Sequence, residues 1–170
     1  AGKLSVMVGG DAAALETARP ALGAYSKAIR HMGPAGSGQL TKMVNQICIA
    51  GVVQGLAEAV HFTERAGLDP EAVLAAVSQG AAQSWQMDNR WATMCRGEFD
   101  FGFAVDWMRK DLGLVLDEAR RNGSRLALTA LVDQFYAEVQ ALGGSRWDTS
   151  SLAARLSDRI ASGSGSSGAP

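Results

Sequence analysis

From Ser37 to Ala66 the sequence reads SGQLTKMVNQICIAGVVQGLAEAVHFTERA, a helical pattern without a break. Gly67 supplies the stop, and Pro70 opens the next helix. At 1.5 Å rise per residue, a run of about 29 residues spans roughly 44 Å, longer than a small domain is wide. From Met43 to Val60 it is apolar or small nearly all round, which predicts a central, buried helix. Gly51 and Gly55 cost helix propensity and mark places where another backbone packs closely. Any fold for this chain must be organised around that rod.

Upstream, KLSVMV (Lys3 to Val8) alternates polar and apolar residues and meets Gly9-Gly10-Asp11, which predicts a short strand, a turn and a helix N-cap. AAALETARPALGAYS reads as a helix interrupted by Pro20, and KAIRHM as a second strand. Two isolated strands do not make a stable sheet in water. Either the two strands pair with each other in an unusual way or the rest of their sheet is missing, and the lack of a starting methionine suggests a chain that begins inside a longer protein.

Downstream, PEAVLAAVSQG, SWQMDNRWATMCRG, AVDWMRKDLGLVLDEARRNG, LALTALVDQFYAEVQALGG and TSSLAARLSDRIA read as helices, with GEFDFGF as a loop. SGSGSSGAP at the end is linker-like. The expected organisation is 1–34 as a strand-helix-strand piece, 35–161 as an all-α domain and 162–170 as a flexible Gly/Ser tail.

Apolar residues make up 47% of the 170 and charged residues 19%, with 16 basic against 17 acidic side chains. That balance points to no nucleic-acid or membrane partner. No run reaches 18 uninterrupted apolar residues, so no membrane span is expected. Cys48 and Cys95 read as reduced core thiols of a cytoplasmic protein, and His31 and His61 give no metal-ligand spacing.

The chemistry concentrates in HMGPAGSGQLTKMVNQ, residues 31 to 46. A phosphate loop needs Gly-Lys-Ser/Thr after four intervening residues, and GSGQLTK does not supply it. A dinucleotide fingerprint needs G-x-G-x-x-G within a βαβ unit, whereas here G-x-x-G-x-G leads into an unbroken helix. Both phosphate readings fail on context. Lys42, Asn45, Gln46 and Ile49 fall at i, i+3, i+4 and i+7, so a cation and two amides share one helix face. The helix dipole there disfavours a further positive charge, and partial desolvation would add to this, as a useful general acid or base requires. A solvent-reaching lysine with backbone-capping amides fits the spacing equally well.

GPAGSGQLTKMVNQ resembles the catalytic-helix motif of the β-hydroxyacid dehydrogenases, the family of 3-hydroxyisobutyrate dehydrogenase and tartronate semialdehyde reductase, with its pattern G-x-x-G-x-G-x-x-x-K-x-x-N-Q/N. RKDLGLVLDEA (109–119) resembles their K-D-L-x-L-A stretch, and GKLSVMVGG the closing part of their nucleotide-binding domain. The resemblance runs from Gly2 to about Leu156. It implies a two-domain NAD(P)-dependent enzyme. In fold terms it implies an all-α C-terminal domain like that of 6-phosphogluconate dehydrogenase, built on one long central helix. A strand-helix-strand remnant of a Rossmann domain would precede that domain, and the main cofactor-binding surface would lie outside this chain.

Residue by residue, the resemblance makes Lys42 the acid/base and Asn45 and Gln46 the holders of substrate oxygens. Gly36 and Gly38 would admit the substrate carboxylate to the backbone. Lys110 would reach the cofactor, and Asp111 and Phe103 would line the substrate pocket. The implied substrate is a small hydroxyacid or semialdehyde, and the implied assembly a homodimer or homotetramer through the long helix. Imine reductases share the architecture but generally lack this lysine. Lys110-Asp111 as a solvated pair, Phe103 as core, and Trp85, Trp91 and Trp107 as core or interface are the structural alternatives. A non-catalytic dimerisation module of the same fold is the alternative for the chain as a whole.

Overall fold

The computed structural model describes residues 2–157. In chain order it contains β1 (Leu4–Gly9), α1 (Ala12–Gly23), β2 (Ser26–Gly33), α2 (Ser37–Arg65), α3 (Pro70–Val77), α4 (Trp85–Arg96), α5 (Val105–Asn122) and α6 (Ala127–Ala141). A 3₁₀ segment, Thr149–Leu156, follows. The chain is mostly helical with one two-stranded sheet. It divides into two compact units, one running through Gln46 and one beginning at Ile47, so the boundary falls within α2.

In the first unit β1 and β2 pair in parallel, with Val6 opposite Ile29 and irregularities at both ends of the ladder. Parallel pairing demands a crossover, and α1 provides it. Asp11 caps α1 by accepting from the Ala14 N–H at 2.9 Å. Pro20 sits inside α1 without ending it, contrary to the expected interruption. Its missing N–H removes one helical bond, and the helix runs on past it to Gly23.

The second unit holds the hydrophobic core. Ala50, Val53, Ala57 and Val60 of α2 pack with Met87 and Trp91 of α4, with Val105, Met108 and Leu112 of α5, and with Val132 and Tyr136 of α6. The α5 stripe Val105, Met108, Leu112, Val115, Ala119 recurs every three to four residues, the signature of a helix buried on one face. Complete burial of a side chain such as Leu112 contributes about 2 kcal/mol. Arg109 ties α5 to α6, donating from Nε and Nη2 to Asp133 at 3.1 and 3.2 Å and from Nη1 to Gln140 at 2.6 Å.

Three expectations are corrected. First, α2 is not buried all round: Val44, Val52 and Phe62 are exposed, the last at 68%. Its apolar residues outnumber the neighbours available to cover them. By length and composition alone α2 is long and apolar enough to cross a membrane, its most apolar 18-residue window having a mean hydropathy of 1.4. Core helices pass the same test, and the Ala50–Val60 stripe places this one in a protein core. Second, Cys48 is exposed and Cys95 intermediate, both free, so Cys48 is no core thiol. Third, the last segment is 3₁₀ through Leu156, a winding common where a chain turns tightly at an element end. Its expected continuation to Ala161 and the Gly/Ser tail at 162–170 lie outside the described residues.

Candidate active site

In the first unit, glycine sets the entry to α2. A Cβ on Gly9 would lie 2.6 Å from the Pro34 carbonyl oxygen and 2.8 Å from the Ser37 nitrogen, and one on Gly38 would overlap the Met7 carbonyl. The end of β1 therefore packs backbone to backbone on the first turn of α2. Gly38 thus has a packing reason of its own that the sequence reading did not foresee. Gly36 takes φ +95°, a left-handed conformation suited to glycine, with open space where a side chain would be.

One to two turns into the helix, Gln46 organises the polar face. It is 2% exposed, and its Oε1 accepts from Lys42 Nζ at 2.8 Å and from Asn45 Nδ2 at 2.9 Å. Lys42 and Asn45 are themselves exposed. The partial burial expected for Lys42 is therefore not seen; its ammonium meets Gln46, and Asn45 donates to the same oxygen. A buried carbonyl holding an exposed ammonium and an exposed amide presents two donors in fixed relation near a helix N-terminus. That arrangement can bind a small oxyanion and exchange a proton with a hydroxyl.

The other sequence-predicted residues belong to the second unit. Lys110 is exposed on α5; its ammonium lies 2.8 Å from Asp111 Oδ1 and 5.8 Å from the Trp107 ring centroid. This is an ion pair on the face of an indole. An exposed cation so placed suits a phosphate or ribose group of a nucleotide. Phe103 is exposed rather than core, and its N–H donates to Asp148 Oδ2 at 2.9 Å. Of the tryptophans, Trp91 is core and donates to the Pro70 carbonyl at 3.1 Å, whereas Trp85 and Trp107 are exposed. Lys42, Asn45 and Gln46 are thus brought together in one unit, and Lys110 and Asp111 in the other.

Sequence reasoning passed over Arg90 and Asp148, an ion pair at 2.9 Å within the second unit. The available signals were local: a glycine between two phenylalanines in FDFGF, and an aspartate two residues before a serine in WDTS. A separate cavity of about 640 Å³ is lined by Val60, His61, Glu64, Met94, Cys95 and Phe99 among others, and contains none of the predicted site residues. Burial, with Glu64 nearby, pushes the Cys95 thiol above its ordinary value of 9.0. That thiol is a poor nucleophile.

The family described as NAD-binding of NADP-dependent 3-hydroxyisobutyrate dehydrogenase matches residues 36–156, and the chain belongs to it. The chain is 66% identical over 155 residues to an uncharacterized oxidoreductase of Shewanella frigidimarina, covering 91% of this chain and 53% of the relative. With 2-hydroxy-3-oxopropionate reductase of Escherichia coli it shares 36% identity over 155 residues, again 91% and 53%. Among solved structures, Mycobacterium tuberculosis 3-hydroxyisobutyrate dehydrogenase with L-serine matches at TM-score 0.83 and 30% identity, covering 91% of this chain and 55% of that one. The chain spans about half the length of the curated relatives it matches. The cofactor class of the family is NAD or NADP.

Proposed function

We propose that this chain is the catalytic-helix and helical-domain part of an NAD(P)-dependent hydroxyacid dehydrogenase, with Lys42 as its general acid/base. The observation that carries the reading is the convergence of Lys42 and Asn45 on the buried Gln46 carbonyl. In oxidation Lys42 takes the substrate's hydroxyl proton; in reduction it returns a proton to the forming alkoxide. Asn45 orients the substrate's oxygens, Gln46 holds both side chains, and Gly36 leaves room for a carboxylate at the mouth of α2. When bound, the nicotinamide accepts or delivers the hydride. Lys110, steadied by Asp111 and Trp107, holds the cofactor, and Asp111 and Phe103 line the substrate. The substrate class, a small hydroxyacid or its semialdehyde, is supported by the names of the relatives.

The all-α, 6-phosphogluconate-dehydrogenase-like description of 35–161, the Rossmann-remnant reading of 1–34, a cytoplasmic location and the inactivity of the chain by itself belong to the same proposal. In the whole protein, Lys42→Ala lowers turnover by roughly 10²- to 10⁴-fold, the usual share of a general acid/base. Unchanged turnover would remove Lys42 from the chemistry.

One observation favours a second role beside the first: α2 exposes Val44, Val52 and Phe62, and α6 exposes Leu128 and Leu131. Apolar residues left open on these helices support a homodimer or homotetramer, as the dimerisation-module reading also requires. A monomeric mass in light scattering at micromolar concentration would remove that part.

A further inference from the structure

Within the first unit, the ends of β1 and β2 meet the first turn of α2. Val8 pairs with His31 and Gly9 with Gly33, so Met32 is an extra residue in the ladder, a bulge just past His31. The Gly10 N–H donates to the Gly33 carbonyl at 2.9 Å. A Cβ on Gly9 would lie 2.9 Å from the Gly38 nitrogen as well as against Pro34 and Ser37. These backbone contacts have no slack. A shift at the end of β1 therefore passes directly into the start of α2.

Gly10 has the opposite character. It takes φ +143°, and a Cβ there would meet nothing within 4 Å. A glycine in open space keeps wide conformational freedom, so the turn it forms gains from a tether. His31 supplies one, its Nε2 lying 2.7 Å from the Gly10 carbonyl oxygen. A carbonyl only accepts, so Nε2 carries the proton, as it does in one neutral tautomer and in the cation alike. The bond is a latch that does not depend on the charge of the ring.

We propose that His31 is a positioning residue. By holding the Gly10 carbonyl it fixes the end of β1 against the first turn of α2, and with it the backbone around Gly36 that receives the substrate's carboxylate. This rests on the hydroxyacid-dehydrogenase reading, in which Gly36 leaves room for that carboxylate. Lys42, further along the helix, keeps its own bond to Gln46. The effect of His31 therefore falls on carboxylate binding and not on proton transfer.

The test is steady-state kinetics of the whole protein with NAD or NADP and a small hydroxyacid. Propanoate, a short carboxylate with no hydroxyl to oxidise, serves as competitive inhibitor. His31→Ala raises both KM and the propanoate inhibition constant by about three- to tenfold, the worth of one hydrogen bond, and leaves kcat within about twofold. His31→Gln, whose side-chain amide can donate to the same carbonyl, restores much of the loss. His31→Leu keeps bulk without a donor, so it matches the alanine variant and stays informative should His31→Ala not fold. KM and inhibition constant unchanged in the folded variants, a loss in kcat alone, or a glutamine variant no better than the leucine one overturns the proposal. If the unsubstituted protein oxidises no small hydroxyacid, the functional reading fails, and this proposal with it.

Discussion

The two units differ in what holds them together. Among the described residues up to Gln46, Leu15 is the one buried hydrophobic side chain; the core sits after Ile47 on α2, α4, α5, α6 and the 3₁₀ segment. Yet the first unit carries Lys42, Asn45 and Gln46. The proposed chemistry therefore stands on the part of the chain with the least core, anchored by glycine packing of β1 on the start of α2 and by one buried amide. The proposed acid/base and the hydrophobic core thus belong to different units. That separation suits a site that must admit substrate, because a fully packed site has no room to open.

The largest break in this comparison comes from the second unit. Asp148→Ala strips the acceptor from Arg90, Phe103 and Ser150 and should cost about 3–5 kcal/mol in denaturant unfolding, as loss of one partner of a buried pair does. A cost under about 1 kcal/mol would mean the cluster is dispensable to the core. Hydrogen exchange gives a middle-sized contrast. Amides of β1 and β2 should exchange through local opening, well before those of α5 and α6, which approach the global unfolding limit. Equal protection in both units would erase the distinction.

The smallest effect concerns the thiols. Burial raises the Cys95 thiol from 9.0, whereas Cys48 is exposed. Iodoacetamide at about pH 8.5 should modify Cys48 first, since that thiol is exposed and Cys95 is not. The sign for stability follows. The native state holds the Cys95 proton more tightly than the unfolded chain, so its contribution is intact below pH 9.0 and declines as pH rises past that value. Faster alkylation of Cys95 would contradict the burial argument.

How much of this was legible in the sequence depended on range. The run from Ser37 to Arg65 could be read because helix bonds and stops are local, and the nearness of Lys42 to Gln46 because four-residue spacing sets it, whereas the bond from the adjacent Asn45 to the same oxygen could not. Exposure of Val44, Val52 and Phe62 could not be read, since burial depends on which distant elements arrive to cover a face. Arg90 and Asp148 are 58 residues apart, and nothing in either local pattern announces the other. Pro20 misled because the loss of one helical bond need not end a helix whose other bonds remain.

The central claim is that Lys42 moves the proton that accompanies hydride transfer. Its most direct test is the hydride-transfer rate of the whole protein carrying Lys42→Ala, followed in a single turnover with and without a small primary amine. The account predicts a fall of roughly 10²- to 10⁴-fold that added amine partly restores, since the amine replaces only the missing acid/base. A rate equal to that of the unsubstituted protein, with or without amine, would contradict it.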